Sequence, residues 1–303
     1  MTDTLVIAIF GPTGSGKSDV AESIAERVPA RLISADAMQA YRGLPILTNQ
    51  SSSPTELVGM WELDRESSVA EYAELAHAAV DSALLEGLQP VVVGGTGLYL
   101  RAALVNLDLP PAPSPGVRER WEGEYERLGA DGAHEVLADR DPAAAAQVHP
   151  NDRRRVVRAL ELTDAGKSLA RMDDRLWSGT TRHPTLIVGL DLPKAVLEGR
   201  IDRRIREMFE RGVENEVRAA LLRPMSPTAS MIFGLREIAE LPTAGAHESL
   251  ARRTKRYASY QRKWMRRIPG LVTVPADRPA GEVADEILEM ARSRERLPAG
   301  PAG

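Results

Sequence analysis

Cysteine is absent from the 303 residues, which excludes disulfides, thiolate-bound structural zinc and a thiol nucleophile. Nor does any apolar run approach the ~20 residues that a bilayer-crossing helix needs. The N-terminus enters an apolar run without the pattern of a secretion signal, so a soluble, cytoplasmic protein with no membrane partner is the expectation. A net positive charge is missing too: 39 Lys and Arg against 43 Asp and Glu leave −4. Spread evenly, that balance would argue against a polyanion partner. It is not even, because residues 151–270 hold 25 basic against 15 acidic side chains, an excess of +10, and the remainder carries −14. Such asymmetry fits a polyanion partner or an ordinary solvated surface. The length allows one large domain or two smaller ones with real cores.

What is present begins with a loop. Leu5-Val6-Ile7-Ala8-Ile9 reads as a buried strand and runs into FGPTGSGKSDV, residues 10–20. The spacing Gly11-x-x-x-x-Gly16-Lys17-Ser18 matches a phosphate-binding loop between a strand and a helix that starts near Lys17. Glycines let successive amides turn inward, Lys17 adds a cation, the Ser18 hydroxyl can ligate magnesium, and the helix presents its positive dipole end. A ligand with a di- or triphosphate, as in nucleotide-binding proteins, is expected.

Further strands are expected at 31–34, 90–93 and 185–190, with a helix from Val69 to Leu88. This alternation predicts an α/β fold with a parallel sheet and ligands at the strands' carboxyl ends. The proline-rich stretch 109–115 reads as a connector. Helical segments at about 116–129, 132–139, 142–147 and 151–165 follow, giving a mostly helical insertion, residues 110–184, in a core made of 1–109 and 185–291. Long helical stretches are expected at about 193–222 and 246–267, and residues 292–303 read as a disordered tail.

A kinase or NTPase usually places an acid at the end of a neighbouring strand. Here Val91-Val92-Val93 ends in Gly94-Gly95-Thr96. Asp36, just after the 31–34 strand, is the carboxylate nearest in pattern to the loop's ligand. It reads equally as a general base, a magnesium partner through water, or a turn cap.

Seven segments stand in an order that resembles the bacterial tRNA dimethylallyltransferases, also called tRNA isopentenyltransferases. They are GPTGSGKS (11–18), SADAMQAYRGLPILT (34–48), GGTGLYLRAAL (94–104), HPNDRRRVVRALEL (149–162), RIDRRIREMFERGVENEV (200–217), FGLREI (233–238) and RRTKRYASYQRKWMRR (252–267). The resemblance covers about residues 5–270. It implies a P-loop NTPase-like core and transfer of a dimethylallyl group from dimethylallyl diphosphate to the exocyclic amine of the adenine 3′ of the anticodon. It further implies a monomer that binds the tRNA anticodon stem-loop and uses Mg2+ at Ser18.

By the same resemblance, Gly11, Pro12, Thr13, Gly14, Ser15, Gly16, Lys17, Ser18 and Arg204 hold the diphosphate, with Arg200 four residues before Arg204 on the same helical face. Lys17, Asp36, Thr96 and Arg204 are the catalytic set, Asp36 being the base that accepts the amine proton. Contacts to tRNA are implied for Asp36, Ala37, Met38, Gln39, Thr96, Arg118, Arg154, Arg155, Val156, Val157, Arg158, Met231, Ile232, Phe233, Gly234, Leu235 and Arg236. Asp152 reads as a helix cap, and the stripe Tyr257, Tyr260, Trp264 as core. Departures from the family pattern stand at Ala37 (commonly Ser), Asn49-Gln50 (commonly Ala-Lys), residues 60–64 and Leu235 (commonly Tyr). Rival readings are an adenylate dimethylallyltransferase acting on free AMP, ADP or ATP, a P-loop small-molecule kinase, and an RNA-binding scaffold with a degenerate loop.

Overall fold

The computed structural model describes residues 4–107, 109, 116–170 and 176–295. They divide into two compact units, one from 4–104 with 179–295 and the other from 105–178.

The first unit is built on a parallel five-stranded sheet. Strands β1 (Val6–Phe10), β2 (Ala30–Ser34), β3 (Gln89–Gly94), β4 (Thr185–Asp191) and β5 (Val272–Pro275) lie in the order β2-β3-β1-β4-β5. All five residues of β1 are buried, as an uninterrupted apolar run in the middle of a parallel sheet requires. Its register with Val91–Gly94 on one side and Thr185–Gly189 on the other puts the end of β1 at the centre of the sheet's carboxyl edge. The chain crosses from β1 outward to β2, back to β3, then to the other flank. The crevice at that reversal lies beside β1.

Helix α1 (Lys17–Ala25) starts directly on the phosphate-loop residues, and α2 (Val69–Leu85) is capped by Ser68, whose hydroxyl accepts the Glu71 N–H. Helix α3 (Gly97–Leu104) follows β3, packs against α2, and ends the first passage through this unit.

The second unit contains α4 (Val117–Arg140), α5 (Pro142–Ala145) and α6 (Arg153–Asp164). Gly129, at φ 75° and ψ 176°, interrupts α4, which matches the two expected helices on either side of it. Asp152 caps α6 by accepting the Arg155 N–H at 3.2 Å. This unit has its own core, with Trp121, Leu137, Val148, Val156, Leu160 and Leu162 all buried. The expected connector at 109–115 lies, beyond Leu109, outside the described residues.

Returning to the first unit, α7 (Lys194–Glu210) and α8 (Val213–Leu221) are one long stretch broken at Gly212, φ 85°. Then come α9 (Leu235–Glu240), α10 (Thr243–Met265) and α11 (Ala280–Glu295). Helix α11 packs against α1, and Arg27 reaches Asp285 at 2.5 Å. The expected tail therefore needs correcting at its start: 292–295 continue α11, which buries Val283, Ala284, Ile287 and Ala291. Residues 296–303 lie outside the described residues.

Candidate active site

The loop after β1 curls as its glycines require. Gly14 and Gly16 have φ +83° and +85°, and a Cβ on Gly11 would stand 2.8 Å from Ser15 Oγ. Lys17 folds back over the loop and donates to the Pro12 carbonyl at 2.9 Å. Its surface opens partly to the cavity, yet protein surrounds the ammonium. That desolvation lowers its pKa to about 8, opposed by the Asp36 carboxylate and reinforced by Arg204. Arg204, on α7, donates to Thr13 Oγ1 at 2.7 Å, and burial lowers its pKa while Asp36 works the other way. One turn earlier, Arg200 reaches the carbonyls of Ser15 (3.5 Å) and Ala276 (3.3 Å). Helix α7 thus aims two guanidinium groups at the loop that holds Lys17.

Asp36 follows the end of β2, which β3 separates from β1. Its Oδ1 accepts the Met38 N–H at 3.0 Å, a local turn that fixes the carboxylate. Ala37 N–H donates to Thr96 Oγ1 at 3.3 Å, so the segment after β2 is tied to the one after β3. Gln39 is held on both ends: it accepts from Ser34 Oγ and donates to the carbonyls of Thr48 and Asn49. Glu216 of α8 clamps the next turn, its two carboxylate oxygens accepting the N–H groups of Ile46 (2.8 Å) and Leu47 (2.7 Å). The Gln50 side-chain amide donates to the Gln39 and Tyr41 carbonyls.

The glycines of Gly94-Gly95-Thr96-Gly97 each have a separate cause. A Cβ on Gly94 would lie 2.1 Å from the Ala35 carbonyl oxygen, one on Gly95 2.3 Å from Gln261 Nε2, and one on Gly97 2.2 Å from the Trp264 ring. Gln261 is a site residue that the sequence did not reveal. It accepts the Thr13 N–H at 2.8 Å and donates to the Gly95 carbonyl at 2.9 Å. Tyr257, one turn earlier on α10, lies beside Thr96 and Gln261, and burial drives its pKa upward. Tyr257 stacks with Tyr260 (6.4 Å) and meets Phe233 at 5.7 Å. The stripe expected as core is corrected accordingly: Tyr257 lines the cavity, Tyr260 is 54% exposed, and Trp264 packs on Gly97.

These groups enclose a cavity of about 530 Å3, polar at Lys17, Ser18, Asp36 and Arg204. Leu47, Ile201, Ile205, Phe233 and Leu250 supply an apolar wall. Thr96 is not among the residues that line this cavity; its hydroxyl accepts the Ala37 N–H. Among the described residues no three His, Cys, Asp or Glu side chains group to hold a metal. The protein donor offered at the loop is the Ser18 hydroxyl. That set fits a hard cation that keeps its waters and comes in with diphosphate oxygens, as magnesium does.

Residues 39–268 match the family model described as IPP transferase, and residues 4–61 that described as Isopentenyl transferase. The chain belongs to the IPP transferase family. It is 37% identical to a tRNA dimethylallyltransferase of Thermobifida fusca (strain YX), over 90% of this chain and 91% of that one. With tRNA dimethylallyltransferase 2 of Mycobacterium marinum the identity is 39%, covering 94% and 98%. Among solved structures, a eukaryotic dimethylallyltransferase acting on tRNA superposes with a TM-score of 0.81 at 25% identity, covering 99% of this chain and 82% of that one. The tRNA isopentenylpyrophosphate transferase of Staphylococcus epidermidis gives 0.68 at 26% identity, covering 96% and 99%.

In this IPP transferase the residues expected to meet RNA fall into two kinds. Met38, Gln39 and Phe233 line the cavity with Asp36, while Met231 and Arg236 are exposed. Ile232 and Leu235 are buried at 5% and 2%, and Val156 and Val157 at 0% and 4%. Those four side chains pack the interior, a correction to their expected contact role. Gly234, at φ +97°, leaves room for Leu47, whose Cδ1 would be 2.8 Å from a Cβ. In the second unit Arg154 is exposed. Arg118 and Arg158 both pair with the buried Glu161 carboxylate, at 2.9 and 2.8 Å.

Proposed function

We infer that this prenyltransferase moves the dimethylallyl group of dimethylallyl diphosphate onto the exocyclic amine of the adenine 3′ of the anticodon in tRNA, releasing diphosphate. The observation that carries the reading is one cavity lined together by the phosphate loop with Lys17, by Arg204, by the Asp36 carboxylate and by apolar side chains. Charge develops on the leaving diphosphate as the allylic carbon–oxygen bond breaks. The loop amides, Lys17, Arg204 and Arg200 stabilise it. The apolar wall accepts the branched alkyl chain. Adenine nitrogen forms the new bond to the allylic carbon, and its proton passes to Asp36. An adenine amine is a weak nucleophile because its lone pair is delocalised, so a carboxylate in reach has a chemical purpose. Ser18 would hold magnesium, which when bound would supply further neutralisation of the leaving group.

The acceptor base must leave the stacked loop to reach the cavity, which calls for extrusion of the adenine. Met38, Gln39 and Phe233 receive it, and the exposed arginines of α6 engage the tRNA backbone. The names of the relatives support tRNA over free nucleotide as acceptor. The test offers labelled dimethylallyl diphosphate and Mg2+ with unmodified total tRNA in one reaction and AMP or ATP in another. Label confined to the anticodon-loop adenine is the expected result. Label in free nucleotide alone overturns the acceptor, and turnover of ATP without a prenyl donor overturns the reaction.

A further inference from the structure

We propose that Gln261 is the positioning residue that fixes the diphosphate-binding half of the site relative to the half that presents Asp36. The proposal rests on the reaction just described. The two halves are separate in the chain: the loop after β1 carries Thr13 and Lys17, whereas Asp36 and Thr96 follow β2 and β3. Gln261 comes from α10 and is 2% exposed.

One planar amide serves both sides. Its Oε1 takes the Thr13 N–H and its Nε2 gives to the Gly95 carbonyl, an assignment fixed because one partner can only donate and the other only accept. From Thr13 the connection continues through the hydroxyl to Arg204 at 2.7 Å. From Gly95 it continues through the next residue, Thr96, to the Ala37 N–H at 3.3 Å, beside Asp36. Gly95 is glycine because any Cβ would meet Nε2 at 2.3 Å. The second glycine of the Gly-Gly-Thr-Gly motif is therefore the space that Gln261 occupies.

A residue of this kind acts on turnover more than on binding. Each half keeps its own ligand contacts when the link is cut, but their relative placement relaxes, and a displacement of ~1 Å can cost on the order of 100-fold in rate. Gln261→Leu keeps bulk and loses both hydrogen bonds. Its kcat with tRNA should fall roughly 30- to 100-fold, while affinities for inorganic diphosphate and for tRNA stay within about threefold. Gln261→Glu adds a readout that mere packing would not move. Ionised, the new side chain accepts from Thr13 but opposes the Gly95 carbonyl; protonated, it donates to that carbonyl again. Its kcat relative to wild type should therefore recover at least severalfold between pH 8 and pH 6. Gly95→Ala should reproduce the leucine variant's split between kcat and binding.

The proposal is overturned if Gln261→Leu turns over within threefold of wild type, if diphosphate affinity falls in step with kcat, or if the Gln261→Glu ratio is flat with pH. Should Gln261→Leu fail to fold, the pH series decides. Failure of the wild-type enzyme to prenylate tRNA is a different result and overturns the reaction instead.

Discussion

Lys17 and Asp36 are coupled, and that coupling shapes how either can be tested. The Asp36 carboxylate holds up a lysine pKa that burial brings down to about 8. Asp36→Asn should lower kcat by about 100-fold or more through loss of the proton acceptor. At pH 6.5, where Lys17 stays protonated, donor affinity should hardly change; at pH 8 it should weaken, because Lys17 without its carboxylate neighbour sheds its proton more readily. Steady-state turnover beside equilibrium binding at the two pH values checks this, and undiminished turnover removes Asp36 as the base. In the wild type, diphosphate binding above pH 8 must recharge Lys17, so calorimetry in buffers of different ionisation enthalpy should show proton uptake there and little at pH 6.5. The same depressed pKa costs stability below pH 8, where the folded protein must keep a desolvated cation; the cost is relieved as pH rises from about 8 towards the unfolded value of 10.5. Arg204→Ala should raise the donor KM at least tenfold, as it removes a guanidinium lying against Thr13.

At the level of elements, close approach decides more than propensity. Gly94→Ala would drive a methyl group to 2.1 Å from the Ala35 carbonyl oxygen, backbone that cannot swing aside. It should destabilise the first unit by about 3 kcal/mol, measurable by urea unfolding. The strand, loop and first helix could be read from sequence because their signals are local: an apolar run, glycines at fixed offsets, then Lys-Ser. The four helical spans of the insertion were readable for the same reason. Strand β5 was not, since Val-Thr-Val-Pro is short and only its pairing with β4 makes it a strand. Gln261 left no trace either. It meets Thr13 across 248 residues, and a glutamine inside a basic helix carries no spacing that distinguishes a buried bridge from a solvated face. Val156 and Val157 show the converse error, where a motif marks a segment but only packing shows which of its side chains turn inward.

Across the whole molecule, the basic excess of residues 151–270 is not all available to a polyanion. Glu161 occupies Arg158, and with it Arg118 from outside that range, so Arg158→Ala should act mainly on stability, costing about 2 kcal/mol by leaving a buried carboxylate with one partner fewer. Arg154→Ala should instead weaken tRNA binding and flatten its salt dependence while the unfolding midpoint stays put; an unaltered salt slope removes it from the interface. The first unit is interrupted at Leu104 and resumes by Arg182, whose N–H donates to the Leu104 carbonyl at 2.8 Å. Arg182 and His183 both fasten to Asp81 of α2. The exit and the re-entry of the chain are thus neighbours, stitched together within one unit. A polypeptide so arranged can gain, lose or exchange everything between those two points without reopening the sheet.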